Sequence, residues 1–268
     1  PPGITEPRTG LSMGEHQALT TTRWGITRQA QDEVALASHQ NLARAWADGF
    51  FDDLVTPYLG VTKDQGVRGD TTLEKLGALK PVFGRGEGAT MTAGNSTGFF
   101  DGASVAYLAD AEYAAEKHLP ALARIVDVEV AASDYTLGGE DLLLAPTYAI
   151  ARLLERQGLS WQDFDYYEIH EAFAATVLST LKALDDETYC RERLGLSAAL
   201  GEIDRTRLNV NGSSLAAGHP FAATGGRIVP TVAKLLHQRG TVDGRPARGI
   251  VSICAAGGQG AVAILEAC

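Results

Sequence analysis

From residue 120 to the end of the chain, short apolar runs alternate with segments of helical periodicity. Pro146 suits the first turn of one predicted helix, and Gly158 suits the position just past its end. Strands that alternate with helices in this way predict an α/β layered fold around a largely buried sheet. Four runs have the β-branched or apolar character of strands: residues 122–130, 164–169, 250–254 and 261–265.

The first part of the chain has a different character. Residues 1–88 are polar and helical in pattern, and they include no convincing buried strand. Apolar side chains recur at close to helical spacing over 27–49. A capping pattern, Asp-Thr-Thr followed by Glu74, predicts a short helix that ends before Pro81. We interpret residues 1–88 as an inserted helical loop domain that forms a lid over a site.

Residues 89–119 connect these two parts. A short strand is predicted over 89–94, and an alanine-rich helix is predicted to follow Asp101-Gly102 and to run to about His118. No internal repeat is visible in the chain.

The composition excludes several classes of protein. A chain of 268 residues that is 45% hydrophobic can bury a large core. Its formal net charge of −10 argues against a nucleic-acid-binding surface, which normally has a basic patch. No run of eighteen apolar residues is present, so no membrane span is expected. The first residues lack the pattern of a signal peptide, and we expect a cytoplasmic or organellar-matrix protein that is not secreted.

Three cysteines, Cys190, Cys254 and Cys268, form no CxxC pair and no metal-binding spacing. Such a sparse, odd set indicates free thiols in a reducing compartment. Cys190 belongs to a charged stretch and is expected at the surface, and Cys268 is the last residue. Cys254 remains as the candidate for chemistry.

Two histidines and this cysteine lie in three separate segments that are rich in small residues: 170–173, 211–220 and 254–260. Small residues allow a ligand to approach the backbone closely. Histidine and cysteine side chains transfer protons and activate thiols near neutral pH. Because each segment ends a predicted strand or precedes a predicted helix, the three together predict an active site.

The two strongest candidates also have structural interpretations. His219, in Ala-Gly-His-Pro before a helix predicted over 222–238, is explained equally well as a helix-capping residue bound to a backbone carbonyl. Cys254 is explained as inert packing at the end of a strand. The glycine-rich turn after Cys254 favours chemistry, because its backbone N–H groups can converge into an oxyanion hole.

The other polar candidates are assigned to local structure. Glu171 suits the first turn of a helix that begins near residue 170. Asn95 and Asn211 suit Asx-turns, and the alternative is that their amides orient a water or a histidine. The remaining histidines are expected in polar, solvated helices: His16, His39, His118 and His237.

Together, the three segments closely resemble the signatures of the thiolase family, the acyl-CoA acetyltransferases. The motifs are His-Glu-Ala-Phe at 170–173, Asn-Val-Asn-Gly followed by Gly-His-Pro within 209–220, and Cys-Ala-Ala-Gly-Gly-Gln-Gly at 254–260. The resemblance extends in family order over nearly the whole chain. The His-Glu-Ala-Phe form and the long segment 185–207 are most similar to the β-subunit of the trifunctional fatty-acid oxidation complex.

The resemblance implies a role for each candidate. Cys254 would be the acid/base thiol that moves the α-proton of acetyl-CoA. His219 would activate the acylated nucleophile and help to hold the thioester oxygen. His170 would stand where many family members have an asparagine that orients a water in an oxyanion hole. Backbone N–H groups at Ala256 and Gly257 would contribute to a second oxyanion hole.

Further implied roles concern the substrate. Asn211 would lie at the oxyanion and substrate site, and Met13 and Thr97 would face coenzyme A. The implied reaction is thiolysis of 3-ketoacyl-CoA to acetyl-CoA and a shortened acyl-CoA, or the reverse Claisen condensation, in fatty-acid β-oxidation. Coenzyme A is a substrate here, and neither a cofactor nor a metal is implied. A homo-oligomer is expected, with a β-oxidation multienzyme complex as a further partner.

The implied architecture is the layered thiolase fold, in which helices sandwich a mixed sheet. Residues 1–88 would be the helical loop domain that binds coenzyme A, and 89–119 the final strand and helix of the N-terminal core half. Residues 120–268 would be the C-terminal thiolase domain.

One expected family feature has no match. A thiolase carries its acylating cysteine in its N-terminal half, and no cysteine of this chain has those surroundings. We therefore expect the C-terminal portion of a thiolase, either truncated or separated from the remainder, in which case the missing N-terminal half would be a partner. The alternative is a non-catalytic thiolase-like protein that binds acyl-CoA or lipid. A ketosynthase-type condensing enzyme would not require Cys254, and a pure interaction domain would explain none of the three segments.

Overall fold

The computed structural model describes residues 3–84, 86–137 and 139–268. In this part of the chain the strands are β1 Pro81–Phe83, β2 Met91–Thr92, β3 Ala123–Ala132, β4 Tyr166–Ile169, β5 Thr241–Val242, β6 Arg245–Pro246, β7 Arg248–Ala255 and β8 Gln259–Ala267. The α-helices are α1 Met13–Arg23, α2 Arg28–Ala47, α3 Leu73–Gly77, α4 Ala111–Glu116, α5 Ala145–Gln157, α6 Ala174–Asp185, α7 Glu187–Glu192, α8 Ser214–Ala217 and α9 Ala223–Arg239. Short 3₁₀ turns lie at Leu142–Leu144 and Arg205–Arg207.

A four-stranded mixed sheet in the order β3-β8-β7-β4 forms the centre of the fold. Strand β8 pairs antiparallel with both of its neighbours, whereas β4 runs parallel to β7, with Ile169 opposite Ser252. Because parallel strands end at the same edge of a sheet, the residues that follow β4 and those that end β7 lie side by side. His170 and Cys254 are therefore brought to one edge.

Alternation of side chains along the central strands gives the sheet two buried faces. Ile250 and Ile264 belong to the core that includes α5 and α6. Their neighbours Val251 and Leu265 belong to a second core that includes α9. Helices thus cover both faces of a mixed sheet, which confirms the predicted α/β layered architecture.

The predicted helical elements before residue 80 are also present. Thr27 caps α2 by accepting a hydrogen bond from the Ala30 N–H, and Thr72 caps α3 by accepting one from Lys75. Helix α2 packs against α6 and α8, so the segment predicted as a lid contributes to the packing around residues 170–220.

The structure corrects two predicted helix positions. The alanine-rich helix is confined to Ala111–Glu116, with none of its residues buried, and begins at the Asp110 cap. A helix shorter than about 12 residues needs packing for its stability, and the exposed residues before Asp110 provide none that would extend it. Helix α6 begins at Ala174 and not near His170, because residues 170–173 remain extended. The His170 N–H donates to the Ser252 carbonyl, and Phe173 pairs with Ser96.

Gly212 allows the loop before α8 to contact α2. Its φ is +71°, and a Cβ atom there would lie 2.3 Å from the Ser38 carbonyl oxygen. We expect Gly212→Ala to lower the free energy of unfolding by about 3 kcal/mol, from left-handed backbone strain and overpacking together. Gly244 is the matched control, because its φ is +80° but a Cβ atom there would meet no other atom within 4 Å. Gly244→Ala should cost only about 1 kcal/mol. Equal losses in urea unfolding would contradict the close contact.

Within the residues that the structure describes, no helix is both long and apolar enough to cross a membrane.

Candidate active site

Two histidines from distant parts of the sequence form the centre of the candidate site. His170 directly follows β4, and His219 lies between α8 and α9, where its N–H donates to the Gly98 carbonyl at 3.1 Å. The centroids of the two rings are 4.4 Å apart, with 44° between the ring planes. Gly218 makes this approach possible, because its φ of +89° turns the chain just before His219.

Each ring is held through its Nδ1 atom. The Nδ1 of His170 lies 2.7 Å from the Ser214 Oγ, and the Nδ1 of His219 lies 2.7 Å from the Thr224 Oγ1. In the described part of the chain, neither Nε2 atom has a hydrogen-bond partner. Both rings therefore have a nitrogen with which to bind a ligand. The capping interpretation of His219 is wrong, since α9 begins after Ala222 and has no side-chain cap.

Both imidazoles are neutral at neutral pH. Burial, the neighbouring His219 and the positive charge of Arg227 hold the pKa of His170 well below its ordinary value. Burial, and then Arg227, lower the pKa of His219 in the same direction. A neutral imidazole has one N–H donor and one acceptor nitrogen, so the pair can bind a carbonyl oxygen and also accept a proton.

Cys254 lies near the end of β7, at the sheet edge that carries the histidines. It belongs to a buried apolar cluster with Met91, Leu142 and Phe173, the last of which ends the 170–173 segment. Burial raises the pKa of the Cys254 thiol to about 12. At neutral pH this residue is therefore a thiol that holds its proton, as a general acid must.

The other predicted substrate residues are Met13, Thr97 and Asn211. Met13 packs against the apolar cluster of Cys254. Thr97 donates from its Oγ1 to the Ser214 carbonyl at 2.6 Å, and its N–H donates to the Ala172 carbonyl. The Nδ2 of Asn211 is buried and has no hydrogen-bond partner in the described residues.

Ala256 and Gly257 lie in the tight turn that joins β7 to β8. Both are exposed, and the turn is closed by the pairing of Ala255 with Gln259. Gly257 has a φ of +80°. Their role in a second oxyanion hole remains a prediction.

Glu171 is not the helix-dipole residue that the sequence indicated. It is buried and accepts three hydrogen bonds: from the Ser38 Oγ at 2.6 Å, the Asn209 Nδ2 at 2.8 Å and the Leu215 N–H at 3.1 Å. One carboxylate thus connects α2, the end of β4 and helix α8. Through these bonds Glu171 holds together the segments that carry the two histidines.

Sequence reasoning missed Asn209 as a supporting residue. Its amide accepts from the Ile169 N–H at 2.9 Å and donates to the Ile169 carbonyl at 3.0 Å, which continues the edge of β4. Its φ of +46° is in the left-handed region, where asparagine is enriched among non-glycine residues. The sequence did contain a signal for this role, because Asn209 is the first residue of the Asn-Val-Asn-Gly motif.

Glu168, on strand β4 just before His170, is a second buried carboxyl group. It accepts a hydrogen bond from the Ser213 Oγ at 2.7 Å, and burial raises its pKa from 4.5 to about 7. Because the folded protein binds this proton more tightly than the unfolded chain, Glu168 lowers stability as the pH rises from 4.5 to 7.

We expect Glu168→Gln to remove this pH dependence, because glutamine keeps an acceptor for Ser213 and does not ionise. The free energy of unfolding of the native chain should fall, relative to the variant, by on the order of 3 kcal/mol between about pH 4.5 and 7.5. Urea unfolding at both pH values measures the difference. Parallel pH profiles for the two proteins would contradict the raised pKa.

Three other side chains are buried where the sequence indicated exposure. Cys190 is fully buried, and its Sγ lies 3.3 Å from the Leu184 carbonyl oxygen. His16 is buried beside the Thr9 Oγ1, at 2.7 Å. His39 accepts from the Arg68 N–H, and burial lowers its pKa to about 4. Each is buried by a neighbouring segment that folds back over it. His118 and His237 are exposed, as predicted.

Asn95 is also more than a turn residue. It is fully buried, and its Nδ2 donates to Asp32 at 2.9 Å, while its carbonyl accepts from the Ala174 N–H. Asn95 therefore ties α2 to the start of α6.

Comparison with known proteins agrees with the resemblance seen in the sequence. Residues 119–267 match the family model of the thiolase C-terminal domain, and residues 1–112 match that of the thiolase N-terminal domain. A 3-ketoacyl-CoA thiolase of Yersinia enterocolitica is 39% identical over 271 aligned residues, which cover 99% of this chain and 60% of that protein.

Two solved structures have the same fold. The Bacillus anthracis acetyl-CoA acetyltransferase has a TM-score of 0.80 and 37% sequence identity, over 99% of this chain and 62% of its own. Human mitochondrial 3-ketoacyl-CoA thiolase has a TM-score of 0.77 and 30% identity, over 98% of this chain and 61% of its own.

The chain thus spans about 60% of the length of the relatives it matches. The expectation that it holds only the C-terminal portion of such a protein is not supported, because the family models of both domains match it.

Proposed function

We propose that this chain, which belongs to the thiolase family, provides the acid/base and oxyanion site for the thiolysis of 3-ketoacyl-CoA. The observation that carries the proposal is the pair of neutral histidines, with ring centroids 4.4 Å apart, at the sheet edge where Cys254 lies; among the described residues, their Nε2 atoms have no partner. The names of the relatives support the same substrate class.

In the degradative direction, an acylating thiolate attacks the C3 carbonyl of 3-ketoacyl-CoA, and the C2–C3 bond then breaks. The bond electrons form the enolate of acetyl-CoA, whose oxygen carries the developing negative charge. The Nε2 side of the histidine pair stabilises this oxygen, and the Cys254 thiol donates its proton to C2. Acetyl-CoA is released, and Cys254 is left as a thiolate.

In the second half of the reaction, the Cys254 thiolate accepts the proton of the incoming coenzyme A thiol. Coenzyme A then attacks the enzyme thioester, which releases the shortened acyl-CoA. Burial suits Cys254 to this alternation, because it destabilises the thiolate and so returns the residue to its protonated form. The acylating thiol itself is assigned to no residue of this chain, since Cys190 is packed in the core and Cys268 is the last residue.

Deuterium exchange at C2 of acetyl-CoA tests this site without an acylating thiol. Enolisation needs only a base for the C2 proton, which is the minor thiolate form of Cys254, and a donor for the enolate oxygen, which is the Nε2 side of the histidine pair. We expect the chain in D₂O to accelerate exchange by roughly 10²-fold or more over buffer. Exchange is followed by mass spectrometry. Binding of acetyl-CoA without exchange would contradict the proposal and favour a non-catalytic acyl-CoA-binding protein.

The finer features are proposals of the same kind. We propose the degradative direction, as in fatty-acid β-oxidation, a homo-oligomer, a β-oxidation multienzyme partner and a reducing compartment, the cytoplasm or an organellar matrix. The free cysteines support a reducing compartment, and the names of the relatives support thiolysis as the direction of the reaction. Coenzyme A and acyl-CoA would be the ligands, with Met13 and Thr97 on the coenzyme A side.

A further inference from the structure

Ser214 lies between a cation and one of the two histidines. The Nη2 of Arg227 donates to the Ser214 Oγ at 2.9 Å, and the same Oγ lies 2.7 Å from the Nδ1 of His170. Ser214 and His170 are almost completely buried, with 0% and 1% of their surface exposed. Water therefore has little access to this chain of hydrogen bonds.

The arginine determines the direction of both bonds. A guanidinium group has only donors, so the Ser214 oxygen accepts from Arg227. The Nδ1 of His170 is the one acceptor within hydrogen-bonding reach of the Ser214 hydroxyl proton in the described part of the chain. If Nδ1 carried a proton and donated to Ser214, the buried hydroxyl proton of Ser214 would be left without an acceptor in the described residues, which is costly. The arrangement therefore favours an unprotonated Nδ1 and a neutral ring whose single proton lies on Nε2.

The position of the proton on the His219 ring is not fixed in this way. Its Nδ1 contacts the Thr224 hydroxyl, and in the described residues no cation donates to that oxygen. Either atom of the pair can be the donor, so His219 can have its proton on either nitrogen. The two rings are thus not equivalent, although they are similar in charge and lie in contact.

We propose that Arg227 and Ser214 are positioning residues that hold His170 as the Nε2–H tautomer. His170 then presents a permanent hydrogen-bond donor to an oxyanion, while His219 remains free to donate or to accept. The positive charge of Arg227 also opposes protonation of both rings. The catalytic consequence rests on the proposed function, whereas the tautomer itself does not.

Nitrogen NMR of the histidine-labelled chain tests this tautomer without substrate. Couplings between ring nitrogens and carbon-bound ring protons identify the protonated nitrogen, and His170→Gln assigns the signals of the ring. We expect the native chain to show only the Nε2–H form of His170. Two relay variants interrupt the series of hydrogen bonds from Arg227 through Ser214 to His170: Ser214→Ala removes the hydroxyl, and Arg227→Met removes the donor to it. Each should produce a detectable Nδ1–H population of His170.

Ser213→Ala is the matched control. Ser213 is equally buried and adjacent in sequence, but its hydroxyl donates to Glu168 and not to a histidine. We expect this variant to keep the native tautomer. A native Nδ1–H form, or the same tautomer population in the native chain and in both relay variants, would overturn the inference.

Activity provides the second measurement. Ser214→Ala should lower the rate constant of C2 exchange roughly tenfold, less than the ~100-fold loss expected when an oxyanion donor is removed outright, with a smaller effect on KM. An unchanged rate constant would overturn the positioning role. A native chain with the expected tautomer but no exchange would contradict the proposed function and leave the tautomer assignment standing.

Discussion

Cys254→Ser is expected to lower C2 deuterium exchange and 3-ketoacyl-CoA thiolysis by roughly 10³-fold, the largest effect of any substitution considered. A serine hydroxyl has a similar shape but is far weaker as an acid, so it cannot protonate the enolate carbon at a useful rate. Burial already raises the pKa of the Cys254 thiol to about 12. Exchange by mass spectrometry measures the first reaction, and consumption of the 3-keto thioester measures the second.

Cys268→Ser is the control for the loss of a thiol. Cys268 is exposed at the last position, away from the apolar cluster of Cys254. We expect this variant to retain the native exchange rate. If Cys254→Ser also retained it while remaining folded by near-ultraviolet circular dichroism, another residue would be the acid.

His219→Ala is expected to lower the rate constant of C2 exchange roughly 10²- to 10³-fold, with little change in the affinity for acetyl-CoA. The reason is that the enolate oxygen acquires its charge only along the reaction, so the lost hydrogen bond is stronger in the transition state than in the bound thioester. Exchange rates over a range of acetyl-CoA concentrations separate the two effects. The His170 ring cannot replace His219, because its Nδ1 is held by Ser214.

His237→Ala is the corresponding control, since His237 is an exposed histidine on the same helix, α9, that follows His219. Its removal should leave exchange within about twofold of the native rate, because a solvated side chain away from the site makes no contact with the reacting atoms. A loss in His219→Ala that appeared entirely as weaker binding would assign His219 to substrate affinity and contradict a role in the transition state.

The sheet could be predicted from the pattern of apolar side chains in short stretches of sequence. The strand over 250–254 could be recognised because its apolar side chains suit a position between two layers of helices, and the structure buries Ile250 and Val251 on opposite faces. Pro146 and Gly158 bounded helix α5 for equally local reasons, a fixed φ and a left-handed C-cap. The family could be identified for a similar reason, because each of its motifs is a short run of adjacent residues: 170–173, 211–220 and 254–260.

Predictions failed where a residue's partner is distant in sequence. Glu171 follows a strand and precedes a helix, so a role in the helix dipole was the local interpretation. Its actual partner Ser38 lies on α2, 133 residues away. Cys190 was mispredicted for a different reason. Its partner Leu184 is only six residues away, but helix α7 packs back against α6 and buries the thiol despite the charged residues beside it in sequence.

The sequence by itself determined the α/β layers and the family, and it singled out the three candidate residues, because periodicity, turn chemistry and short motifs are properties of neighbouring residues. Only the tertiary structure decided that His170 and His219 are in contact and that both are neutral. It also decided that Arg227, through Ser214, assigns the proton of just one of them. Distances, burial and the direction of a hydrogen bond arise when separate segments pack together, so they cannot be obtained from any one segment alone.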